Sequence, residues 1–260
     1  MDSQLETDSI LFSPEILSSS DLAKLITEIY TVAGARIGSY FVEANIVLTL
    51  AGARGQTEFF IKDPSENDIL IINKLDRILN PRDISLNAGQ ILKRYDQSSY
   101  LMIGINNLAG YELVSGQTRI PGVTKFEAST GFAGLDKWKT TTLKHLKREI
   151  ISGNIKYPLT DLTDIFAGIV KGYPDTAIFD AIDHWGKGER QTPITDSNIS
   201  EVKLYGGASP NFIFHPDHSN DPSIRAAIKL WEKILRDFYK HPGHQQLASD
   251  SNFQSARLVR

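Results

Sequence analysis

"YPDTAIFDAIDHWGKGERQTPITDSNISEVKLYGG", residues 173–207, is the stretch on which the reading of this chain turns. Taken by alternation, "TAIFDAI" (176–182) and "ISEVKLY" (199–205) are two strands joined by a polar loop with Gly186, Gly188 and Pro193, the signature of an antiparallel hairpin. Residues two apart on a strand share a face, so Ile199, Glu201, Lys203 and Tyr205 point one way and Ser200, Val202 and Leu204 the other. A symmetric pairing about a loop centre near residues 190 and 191 places Asp180 opposite Glu201. Two facing carboxylates suit a hard divalent cation such as magnesium, and Lys203 beside them would hold and polarise a water or a scissile phosphate. The competing reading is an exposed cross-strand Glu and Lys in an ordinary hairpin, worth roughly a few tenths of a kcal/mol.

Outside this stretch, composition sets the bounds. With 260 residues, 41% of them hydrophobic, the chain can bury a sizeable core, and one large domain is a better expectation than two small ones. The 28 basic and 31 acidic residues give a formal charge of -3, so no global cationic field marks a nucleic-acid or membrane-surface protein, and any polyanion site must be local. The absence of cysteine removes disulfides, thiolate nucleophiles and cysteine-ligated metals, and favours an intracellular protein. "MDSQLETDSILFSPEILSSS" has neither a basic n-region nor a long apolar core, and no apolar run approaches the ~20 residues of a membrane helix. A cytoplasmic protein without a membrane partner is expected.

Along the chain, residues 1–19 read as a loose arm and 20–260 as a single α/β domain, with a seam near 115–134 where "GQTRIPGVTKFEASTGFAG" is punctuated by glycine and proline. Leu22, Leu25, Ile26, Ile29, Val32 and Ala33 recur at helical spacing up to Gly34 or Gly38. "SYFVEANIVLTLAG" (39–52) and "QTEFFIK" (56–62) read as a strand pair. A helix follows from an N-cap at Ser65, and "SYLMIGI" (99–105) is a short apolar run of a buried strand. "LDKWKTTTLKHLKREIISG" (135–153) is helical, with Lys137, Lys139, Lys144, Lys147 and Arg148 assigned to its polar face. That face is either solvated or a local phosphate-contacting surface. "TDLTDIFAGIVKG" (160–172) carries a full set of helix signals, and 222–239 is the clearest helix, with Asp221 as N-cap and Trp231 in its apolar stripe. The elements together predict an α/β (α+β mixed) fold, a central mixed sheet flanked by helices.

Phosphate-loop, dinucleotide and hydrolase-elbow motifs are absent. "HPDHSND" (215–221) groups His215, Asp217, His218 and Asp221, but without a third histidine at matching spacing it is a poor zinc signature. His241 and His244 fall at a helix end, where capping is the default. Glycine's conformational freedom in "YGGASPN" (205–211) leaves a small-molecule site there as a distant option.

Pro174-Asp175 followed by Glu201-Val202-Lys203 resembles the PD-(D/E)xK nucleases over about 35 residues. The resemblance implies a magnesium-dependent nuclease, or a nuclease-like nucleic-acid-binding protein, with Asp175 and Glu201 as metal ligands and Lys203 assisting the attacking water. Asp175 lies five residues before Asp180, roughly 17 Å along a strand, so Asp180 is the other candidate ligand. Nucleic acid would then contact Lys137, Lys139, Lys144 and Lys147. The alternative is a non-enzymatic structural or interaction subunit of a larger assembly, with a homo-oligomer left open.

Overall fold

A computed structural model of the protein describes residues 16–93, 98–185, 216–218 and 220–249. Among these residues the sheet comprises β1 (Gln56–Lys62), β2 (Ile84–Lys93) and β3 (Ser99–Asn107), in the order β1-β3-β2. Both pairings are antiparallel, a narrower arrangement than a mixed sheet, within the expected α/β (α+β mixed) class. The central strand is the apolar run "SYLMIGI" with two asparagines added. Leu101, Ile103 and Ile105 alternate into the core, and Phe59 and Ile61 of β1 join them. The register slips between Ala88 and Ile91 of β2, which marks a bulge near that end of the sheet.

Helices cover the inner face. They are α1 (Ser19–Gly38, kinked at Gly34), α2 (Ala44–Leu50) and α3 (Glu66–Leu79). Ser65 caps α3 in a reciprocal box with Asp68. The expected strand over 39–52 is a 3-10 turn followed by α2. All of Ala44, Ile46, Val47, Leu48, Thr49 and Leu50 are buried there, and a helix apolar on every side cannot be told from a buried strand by periodicity. β1 therefore pairs with β3 and not with residues 39–52. The fold begins before Ser20: the Leu17 N–H donates to Ala51 C=O, and Ser18 caps α1.

A second group of helices lies beyond the end of β3. It comprises α4 (Leu108–Gln117), α5 (Gly131–Ile151), α6 (Leu162–Val170) and α7 (Asp175–Trp185). Asn107 closes β3 and caps α4, while its amide donates to the carbonyls of Thr49 and Leu50. A Cβ at Gly110 would stand 2.0 Å from the Arg54 carbonyl oxygen, so α4 can approach the chain only with glycine there. The loop through 118–130 is anchored by buried Ile120 and Phe126. The last helices, α8 (Pro222–Tyr239) and α9 (Pro242–Ala248), return to the first layer, where Trp231, Leu235 and Phe238 join the core. No helix among the described residues is long and apolar enough to cross a membrane.

Candidate functional site

The segment 176–182 is helical and not a strand, which removes the symmetric hairpin and the pairing of Asp180 with Glu201. Buried Ala177 and Ile178 are adjacent, as one side of a helix allows and strand alternation does not. Asp175 opens α7, where its carboxylate accepts from the Thr118 hydroxyl at 2.6 Å and the Arg119 N–H at 2.7 Å. Asp180 lies against His218, with Nδ1 to Oδ2 at 2.8 Å, and this carboxylate raises the His218 imidazole above its ordinary range. Thr176 donates to Asp221 at 2.9 Å. Asp175 thus ties α7 to the α4–α5 loop, Thr176 ties it to the cap of α8, and Asp180 ties it to His218 just before that helix. Glu201, Lys203, His215 and the segment 199–205 lie outside the described residues. Among the described residues no group of three or more His, Asp or Glu side chains is disposed to hold a metal ion.

A different cluster stands where the sheet meets the second group of helices. Gln56 of β1 and Ser85 of β2 both face Asn106 of β3, forming one cross-strand row. Over that row lie Tyr111 of α4 and Lys139 of α5. The Tyr111 hydroxyl is 2.8 Å from Gln56 Oε1 and 2.9 Å from Asn106 Oδ1, so its single proton serves one amide oxygen at a time. Lys139 Nζ donates to Asn106 Oδ1 at 3.0 Å and sits 4.8 Å from the centre of the Tyr111 ring. Among the described residues no carboxylate comes within 4.0 Å of this ammonium. Burial pushes Lys139 below the ordinary lysine range, opposed by Asp136 one turn away. Burial also drives the Tyr111 phenol upward, so it remains a hydrogen-bond donor.

Lys139 was expected on the polar face of its helix, and the structure corrects this. Leu135, Thr142, Leu146 and Ile150 are buried at offsets of -4, +3, +7 and +11 from it, which is the core stripe of α5. That offset is legible in the sequence; grouping every lysine of the segment together hides it. Lys137, Lys144, Lys147 and Arg148 do lie exposed on the opposite side.

Arg54, a fully buried cation, serves packing. Its Nε donates to Lys171 C=O at 2.7 Å, and its guanidinium lies 5.3 Å and 5.1 Å from the rings of Tyr173 and Trp231. His241 caps α9, and His244 packs 4.6 Å from the ring of Phe238. Compared with known proteins, the chain matches no family model, no curated protein and no solved structure.

Proposed function

We propose that the protein binds a small anionic molecule, carboxylate or phosphate in character, at Lys139, as an interaction or carrier component. The supporting observation is the half-buried ammonium of Lys139, which has an amide and an aromatic face as partners and no carboxylate within ion-pair distance among the described residues. Burying a charge is costly unless it is paired. A ligand anion completing the pair recovers that cost, and the Asn106 amide and the Tyr111 ring fix the ammonium for it.

Calorimetric titration with acetate and with inorganic phosphate tests this. Wild-type protein should bind at least one of them, and Lys139→Met, of similar volume and uncharged, should not. Absence of binding to the wild type, or equal binding by the variant, would overturn it.

A second reading keeps the expectation of a metal-dependent nuclease. It is supported by the exposed basic row Lys137, Lys144, Lys147 and Arg148, without Lys139, and by the sequence pattern Glu201-Val202-Lys203. Salt-dependent DNA binding through that row, and magnesium-dependent cleavage lost in Glu201→Gln, would put it ahead.

A further inference from the structure

The outer face of the sheet runs away from Lys139 in rows fixed by strand register. The first row is Gln56–Asn106–Ser85 and the next is Glu58–Gly104–Asn87, followed by Phe60 opposite Met102. Side chains two apart share a face, so all of these lie opposite the core-facing Phe59, Ile61, Leu101, Ile103 and Ile105. From Asn106 to Met102 is four residues, on the order of 13 Å.

The rows differ in chemistry. The first is polar and carries the cation. The second is open at its centre: a Cβ at Gly104 would meet only the Asn87 carbonyl oxygen, at 3.8 Å. Glu58 at its edge faces Lys171, with Oε1 3.9 Å from Nζ, so its charge is opposed. The third row is apolar. Phe60 and Met102 are half-buried yet belong to none of the three apolar clusters among the described residues, and Met102 reaches across Gly89 of β2.

We infer that this face takes an amphiphilic anion, its carboxylate or phosphate head on Lys139 and an unbranched apolar tail laid over Gly104 onto Phe60 and Met102. The inference rests on the anion-binding reading of Lys139 and adds the ligand class. A cation at one end of this face and, at the other, apolar side chains outside the apolar clusters of the described residues match a molecule with the same polarity along its length. The floor between them is open because residue 104 has no side chain.

The experiment is a calorimetric series on the full chain with acetate, butanoate, hexanoate, octanoate and decanoate, and with octanol as the headless control. Affinity should rise about threefold to fourfold per methylene until the tail passes Phe60 and Met102, then level off. Octanol should bind far more weakly than octanoate. Phe60→Ser should flatten the series while leaving acetate binding unchanged. Gly104→Val, a change a strand tolerates, should cut octanoate affinity at least tenfold and spare acetate, which provides the test should Phe60→Ser fail to fold. Acetate binding with no dependence on chain length would leave the anion reading standing and overturn this one. Loss of acetate binding as well in the wild type would remove both. Self-association of the wild type that Phe60→Ser abolishes would assign the face to a second copy of the chain and likewise overturn the inference.

Discussion

At the scale of single residues, buried Arg54 and half-buried Lys139 have opposite duties. Arg54 is satisfied by backbone and side-chain oxygens and by two aromatic rings, so it joins the α6–α7 connection to α8. Lys139 has one amide oxygen and one ring face, and it burdens the fold with desolvation. Lys139→Met should therefore raise stability by roughly 0.5–2 kcal/mol, as is common when a functional group held at a cost is removed. Urea denaturation would show it as a higher midpoint at unchanged slope, and a fall in stability would make Lys139 a structural residue. Tyr111→Phe takes the phenol proton from Gln56 Oε1, while Asn106 Oδ1 keeps Lys139 as donor, and should cost about 1–3 kcal/mol by the same measurement.

Elements are held by their ends. Asp221 caps α8 through the N–H groups of Ser223 and Ile224 and accepts from Thr176 of α7. Asp221→Ala should cost about 0.5–2 kcal/mol. Hydrogen bonds, first from the Ser223 hydroxyl, hold the Asp221 carboxyl below its usual range. A folded-state value below the unfolded one means that this contribution is present above the unfolded pKa and is lost as pH falls through the folded one. The wild type should thus lose stability on acidification, and the variant should lack that part of the loss. In the middle of α8, Trp231 is 2% exposed and carries Arg54 over its ring, so Trp231→Ala should cost about 3–5 kcal/mol in thermal unfolding.

Capping residues and amphipathic stripes made α1, α3, α5, α6 and α8 legible in the sequence, because those signals act within a few residues. The strand β1 and the apolar run of β3 were equally plain. What misled was burial on several sides. The run 44–50 is rich in β-branched residues, yet α2 is helical because β1, β3 and α8 enclose it. "TAIFDAI" fits two periods, and the carboxylate of Asp175 at its start, bonded to Thr118 and Arg119, belongs to a contact far away in the chain. β2 and α4 carry weak local patterns and take their places from β3 and Asn107. The Lys139 cluster joins β1, β2, β3, α4 and α5, so only the stripe position of one lysine could announce it.

Across the whole molecule, the sheet divides a continuous apolar core on one face from a graded surface on the other, polar beside Lys139 and apolar beyond Gly104. The lysine ties that gradient to pH. Its folded-state pKa lies below the unfolded one, so between the two the unfolded chain holds more protons, and stability should rise with pH up to the ordinary lysine value of about 10.4. Anion binding requires the ammonium and should weaken over the same range.

The most direct measurement is a pH titration of the Lys139 side chain by carbon-13 NMR, with and without saturating acetate. The expected result is a midpoint below the ordinary lysine range in the free protein, moved upward when the anion is bound. A midpoint at the ordinary value, unmoved by acetate, would contradict a desolvated ammonium that lacks its counter-ion.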